Sequence, residues 1–98
     1  MITIRRKPTS PGEILREEFL IPLQISQKQL AEHIGSDFKV INRIVNGKAQ
    51  VAPKMAIKLG AAFNTTPDFW LNAQKAVDIH KASREIKRLP KSLLRKVG

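Results

Sequence analysis

The stretch that decides the fold is residues 26–47, SQKQLAEHIGSDFKVINRIVNG. It begins with Ser26, followed three residues later by Gln29, and this spacing is the capping box that starts a helix. Gly35 predicts that this helix ends after about two turns, because glycine suits a left-handed C-terminal cap. The apolar stripe of the short helix is expected to consist of Leu30, Ala31 and Ile34.

A second short helix follows directly, capped by Ser36 or Asp37 and ended by the Asn-Gly pair at 46–47. Its inner side is predicted to consist of Val40, Ile41, Ile44 and Val45. The small side chain of Ala31 lets the two helices cross closely, and Gly35 forms the turn between them. These features at compatible spacings predict a helix-turn-helix.

The outward face of the second helix has a composition suited to DNA. It is predicted to consist of Phe38, Lys39, Asn42, Arg43 and Asn46. Arginine suits guanine O6 and N7, asparagine suits adenine N6 and N7, and an apolar group can meet a thymine methyl. Gln27, Lys28 and Lys48 flank this face and are expected to contact phosphates. Any one of these residues could be a solvated surface residue in a plain helical hairpin, but as a set they favour a DNA contact surface.

Three further helices are predicted around this unit. Residues 10–13 (SPGE) start the first one, which is expected to stop because Pro22 pushes its predecessor out of the helical region. The fourth helix is predicted to begin at Pro53 and end at Asn64, and residues 66–68 (TPD) open the fifth. The sequence therefore predicts an all-α domain of five short helices.

The charge of the chain points to an anionic partner. Lysine and arginine number 18 against 8 aspartates and glutamates, which gives a net charge of +10. Cysteine is absent, which excludes disulfides and thiolate metal sites. No apolar run approaches the roughly 20 residues that span a bilayer, and the basic N-terminus has no apolar stretch behind it. We therefore expect a cytoplasmic protein with no membrane contact.

Four segments together resemble a known family. Residues 11–20 (PGEILREEFL), 26–31 (SQKQLA), 46–48 (NGK) and 66–72 (TPDFWLN) are similar to the HigA/VapI branch of the lambda-repressor-like (Xre) regulators. The resemblance covers residues 9 to about 78. It implies a lambda-repressor-like fold and a HigB-type antitoxin, which binds its operator as a dimer, represses its own operon and sequesters a ribosome-dependent mRNA-cleaving toxin.

Three positions depart from the family pattern. Phe38 stands where the family usually has a polar residue, often arginine, so the operator sequence is expected to differ from that of a typical member. Ser36 replaces the usual aliphatic turn residue, and Ala52 replaces a threonine or serine cap. None of these changes affects the predicted architecture.

The fifth helix offers a candidate dimer interface. Its apolar residues cover more of the circumference than one core-facing stripe requires. A single helix-turn-helix reads only a few base pairs, so a symmetric pair on two half-sites is expected. We assign the interface to Phe69, Trp70, Leu71 and Val77, against the alternative of a wholly buried core helix.

The composition changes from Lys81 onward, where lysines and arginines stand against a single acidic residue, Glu85. We expect one domain over residues 1–98, with the helix-turn-helix domain at 9–78 and a basic C-terminal extension at 79–98. In the extension, apolar residues fall at roughly helical intervals, and Pro90 could start a final helical turn. Three hypotheses compete for it: a disordered tail, an arm on DNA phosphates, or a segment that orders on the toxin.

Three other functions compete with a toxin-linked autorepressor. A stand-alone regulator without a toxin differs from it only in its genomic neighbour. An RNA- or ribosome-associated protein would use the same charge, but only 5% of the residues are aromatic and most of these are expected in the core, which leaves no surface for stacking on bases. An enzyme is disfavoured because His33 and His80 are isolated in the sequence. We expect no metal or cofactor.

Overall fold

A computed structural model of the protein describes residues 7–94. Over this range the chain is helical and contains no strand. Its five helices are α1 (Pro11–Ile14, Leu15–Leu20 and Ile21–Leu23 in unbroken succession), α2 (Gln27–Ile34), α3 (Phe38–Val45), α4 (Pro53–Phe63) and α5 (Pro67–Glu85). The prediction of an all-α fold with five helices is confirmed.

Side-chain caps start the central helices. Ser26 Oγ accepts a hydrogen bond from the Gln29 amide at 3.0 Å, and Gln29 Oε1 accepts one from the Ser26 amide at 2.8 Å. This reciprocal pair is the predicted capping box of α2. At α3 the cap is Asp37 rather than Ser36, because Asp37 Oδ1 accepts from the Lys39 amide at 2.9 Å.

Helix α1 does not stop at Pro22, so that prediction is wrong. Its middle segment, Leu15–Leu20, is a π-helical turn, and the Ile21 amide donates to the Arg16 carbonyl five residues back. In an α-helix a proline ring clashes with the carbonyl four residues back, and the wider π turn relieves this clash. Ile21 keeps helical angles (φ −66°, ψ −53°), and the helix ends at Gln24 in the left-handed region (φ 56°).

The core lies between α1, the two short helices, α4 and α5. Its largest fully buried side chains are Leu15, Ile41, Ile44, Leu59 and Trp70. Helix α1 approaches α3 closely at Gly12, where a Cβ would overlap the carbonyl oxygen of Ile44 and lie 2.8 Å from its carbonyl carbon. Only glycine fits this contact, so Gly12 fixes how near α3 lies to the rest of the domain.

The inner side of α3 is narrower than predicted. Ile41 and Ile44 are buried and Val45 is half-buried, but Val40 is 40% exposed. Val40 lies about 100° around the helix from Ile41, which carries it out of the core and onto the outer surface. The prediction that Val40 faces inward is therefore wrong.

Trp70 is the centre of an aromatic cluster. Its ring lies 5.5 Å from that of Phe19, 6.4 Å from that of Phe63 and 5.2 Å from that of Phe69, measured between centroids. The indole Nε1 donates to Thr65 Oγ1 at 2.8 Å, so the one polar atom of the buried ring has a partner. This cluster joins α1, α4 and α5.

The burial of Trp70 corrects the proposed dimer interface. The side chain has 0% exposure within a single chain, so it belongs to the core and has no surface to offer a partner. Leu71 is half-buried and packs against the core. Val77 is also half-buried, and Phe69 is 40% exposed. Phe69, Leu71 and Val77 are the assigned residues that keep accessible surface.

Helix α5 continues past residue 78 and ends at Glu85. Residues 86–94 then run without a helix, so the final turn that Pro90 could have started does not form there. Leu93 is 100% exposed, and its neighbours are exposed as well. The last residue of the predicted apolar series, Val97, lies outside the described residues.

The contact at Gly12 generates a stability prediction. Gly12→Ala should lower the free energy of unfolding by about 1–3 kcal/mol, because the added methyl group overlaps backbone that has no room to move. Urea denaturation followed by circular dichroism measures the change. Arg16→Ala, at an exposed position of the same helix, is the control and should shift stability by no more than about 0.5 kcal/mol. A Gly12→Ala protein as stable as the parent would contradict the packing described here.

Candidate nucleic-acid interface

The turn between α2 and α3 is held by two backbone hydrogen bonds. The Ser36 amide donates to the Ala31 carbonyl at 2.8 Å, and the Gly35 amide donates to the Glu32 carbonyl at 3.4 Å. Gly35 adopts φ 67°, so the pair forms the Schellman arrangement that closes a helix. Asp37 caps α3 directly afterwards, so only Gly35, Ser36 and Asp37 lie between the two helices.

The predicted DNA-contacting side chains, called here the contact surface, all keep some exposed area. Lys39, Arg43, Asn46 and Lys48 are exposed, and Phe38 is 47% exposed. Among residues 7–94 the single ion pair joins Arg16 to Glu17, far along the chain from this surface. The cationic groups of the surface are therefore not neutralised by acidic side chains of the described residues.

Gln27 has a role that the sequence did not reveal. Its Oε1 accepts a hydrogen bond from Asn42 Nδ2 at 3.0 Å, which links the start of α2 to the middle of α3. Asn42 Oδ1 in turn accepts from Asn46 Nδ2 at 3.2 Å. Gln27 and Asn42 are half-buried, and Asn46 is exposed. The three amides form one chain, called here the amide chain, along the contact surface.

The end of α3 is closed by a reciprocal pair of bonds. Arg43 Nη2 donates to the Lys48 carbonyl at 3.0 Å, and the Lys48 amide donates to the Arg43 carbonyl at 2.8 Å. Gly47, at φ 72°, turns the chain between them. A guanidinium has five N–H donors, so most of those on Arg43 are not engaged by this bond and stay available to a ligand.

A side chain from α5 supports the loop behind this surface. Gln74 Oε1 accepts from the Val51 amide at 2.9 Å, and Val51 itself is buried. Gln74 Nε2 also donates to Asp78 Oδ1 at 3.0 Å, which orients the amide. No local pattern in the sequence marks this pairing, because the two partners lie on elements far apart in the chain.

Neither a metal centre nor a membrane span is evident in the described residues. No three or more His, Cys, Asp or Glu side chains gather where they could hold a metal ion. No helix in this part of the chain has the length and apolar character to cross a membrane.

Comparison with known proteins places the chain in a family. The helix-turn-helix family model matches residues 15–70, more than half of the chain. Antitoxin HigA-1 of Vibrio cholerae serotype O1 is 48% identical over 75 residues, which cover 76% of this chain and 70% of the relative.

Solved structures agree with this result. An addiction module antidote protein of the HigA family from Coxiella burnetii superposes with a TM-score of 0.77 at 39% identity, covering 82% of this chain and 87% of that one. Pseudomonas aeruginosa antitoxin HigA, solved with the higBA promoter, gives a TM-score of 0.82 at 35% identity, covering 89% and 99%. The chain therefore belongs to the helix-turn-helix family and, within it, to the HigA antitoxins.

Proposed function

We propose that this protein is a sequence-specific DNA-binding autorepressor and the antitoxin of a HigB-type mRNA-cleaving toxin. The observation that best supports DNA binding is that α3 is amphipathic. Ile41 and Ile44 are buried in the core on one side of the helix, while the opposite side presents polar and basic groups to solvent. A rigid helix with such a face suits the major groove.

The site residues divide into two roles. Phe38, Lys39, Asn42, Arg43 and Asn46 are proposed to reach base edges from α3. Lys28 and Lys48 are exposed at the borders of this face and are proposed to contact phosphates, as is the Nε2 group of Gln27. The structure of the Pseudomonas relative with a promoter supports this assignment of the partner as double-stranded operator DNA.

The protein is proposed to bind its operator as a homodimer. Two half-sites about one helical turn apart give the specificity that one helix-turn-helix lacks. The exposed ring of Phe69 and the half-buried Val77 on α5 are the surface proposed for the interface, with a contribution from the outer edge of Leu71. Such a protein acts in the cytoplasm and is not an enzyme.

The placement of aromatic rings disfavours RNA as the main ligand. Single-stranded RNA is bound by exposed rings on which bases stack. Phe19, Phe63 and Trp70 pack against one another within the domain instead, with their rings tilted. Phe38 on α3 is the exposed ring of the contact surface, and one ring does not form a stacking platform.

The separation of base and phosphate roles is testable with two alanine variants. Arg43→Ala should weaken binding to the cognate operator by about 1–3 kcal/mol and relax the preference at one base pair. Lys48→Ala should weaken binding to all sequences alike, and it leaves the Arg43 contact intact because that contact uses the Lys48 backbone carbonyl. Fluorescence anisotropy with cognate and random duplexes at fixed salt measures both. Equal losses on the two duplexes for Arg43→Ala would show that Arg43 does not read a base.

The dimer surface makes a second prediction. Val77→Glu should convert the protein to monomers and weaken operator binding, because a charge would replace an apolar contact of the interface. Lys75→Glu, at an exposed position on the same helix, is the control for added negative charge, and it lowers the net charge by two units against one for Val77→Glu. Sedimentation equilibrium gives the oligomeric state of both variants. Dimers of Val77→Glu as tight as those of the parent would remove this face from the interface.

The antitoxin role is tested by the partner itself. A small basic protein encoded next to this gene should co-purify with the chain when the two are expressed together, and its growth inhibition should disappear in the presence of the chain. If no such neighbour exists, or if the neighbour's product neither binds nor is neutralised, the antitoxin role fails. A protein that still binds its own promoter would then be a stand-alone regulator.

A further inference from the structure

The amide chain couples the orientations of three side chains on two helices. Asn46 donates to Asn42, and Asn42 donates to Gln27, at 3.2 and 3.0 Å. Turning any one amide by 180° would bring two carbonyl oxygens or two N–H groups face to face unless its neighbours turned as well. The orientation of the Asn42 amide is thus fixed by its neighbours rather than by Asn42 alone.

Gln27 is the firmly held end of this chain. It occupies the first position of α2, directly after the Ser26 cap. The capping box fixes the backbone there through bonds of 3.0 and 2.8 Å. Asn46, by contrast, is an exposed side chain at the end of α3. Gln27 is therefore the end of the amide chain whose backbone position is set independently of Asn42 and Asn46.

The hydrogen bonds of the amide chain leave Asn42 with groups that can bind a base. An asparagine amide has two N–H donors and a carbonyl oxygen with two lone pairs. One donor engages Gln27 and one lone pair engages Asn46, so one of each remains. A donor and an acceptor side by side are what adenine N7 and N6 require. If the amide turned over, donor and acceptor would exchange places and the match would be lost.

We propose that Gln27 is a positioning residue for DNA specificity: it orients Asn42, and through it Asn46, toward the bases without reading a base itself. This inference rests on the proposed function, since it concerns how the same surface discriminates among operators. The positioning role is compatible with the phosphate contact expected for Gln27. The phosphate contact would use Gln27 Nε2, whereas the amide chain uses Gln27 Oε1.

The experiment begins with the wild-type protein and a random-sequence duplex library. The enriched duplex then serves as the probe, together with a panel of single base-pair changes, all at one salt concentration. The variants are Gln27→Met, which keeps length but loses the acceptor, and Gln27→Glu, which keeps the acceptor. Lys28→Met removes a neighbouring phosphate candidate that has no bond to the amide chain and is the matched control. Thermal unfolding shows whether each variant is folded.

Gln27→Met should reduce the preference at the base pairs read by Asn42 by about threefold to tenfold and leave other positions unchanged. In an Asn42→Ala background it should cause no further loss of preference. Gln27→Glu should retain the preference, because its carboxylate accepts from Asn42 Nδ2. It should bind all sequences more weakly, because the added negative charge repels the DNA phosphates. Lys28→Met should weaken all sequences alike.

A second measurement needs no DNA. The side-chain amide resonances of Asn42 and Asn46 in nuclear magnetic resonance spectra should shift in Gln27→Met and stay in place in Lys28→Met. Unchanged resonances, or a uniform loss of affinity for Gln27→Met like that of the control, would overturn the positioning role. A wild-type protein that enriches no sequence would instead contradict the proposed function, whatever the resonances show.

Discussion

The contact between Gly12 of α1 and the backbone of Ile44 is the constraint on which the rest of the structure depends. It lets two helices approach until main chain meets main chain, and no other residue permits that distance. Ile44 and Ile41 then reach the core, and their burial sets the rotation of α3 about its own axis. The outward face follows from this rotation, so the chemistry of the surface is determined by packing on the opposite side of the helix.

Much of the fold could be predicted because its decisive signals are local. The capping box at Ser26 and Gln29, the left-handed Gly35 and the left-handed Asn64 act within a few residues of themselves. The prediction that α1 ends before Pro22 is wrong, because the helix contains an uncommon π turn there. A proline normally ends a helix, but the π turn before Pro22 accommodates its ring, and nothing in the sequence marks that turn.

The site was predictable to the extent that helical periodicity governs it. Once Ile41 and Ile44 were assigned inward, the residues of the outer face followed, although Val40 was placed on the wrong side. Contacts between elements were not predictable. Two hydrogen bonds join residues far apart in the chain, one between Gln27 and Asn42 and one between Gln74 and Val51. The sequence alone does not indicate which partner an amide side chain will bind.

Trp70 is the only tryptophan of the chain, and its ring is fully buried beside three phenylalanines with Nε1 bonded to Thr65. The protein therefore contains an intrinsic fluorophore whose emission reports the state of the core, and Trp70 is not among the residues proposed to contact DNA. Its spectrum should shift to longer wavelength only when the domain opens. Unfolding can then be followed optically in the presence of DNA, and ligand-induced stabilisation of the fold can be read without an added label.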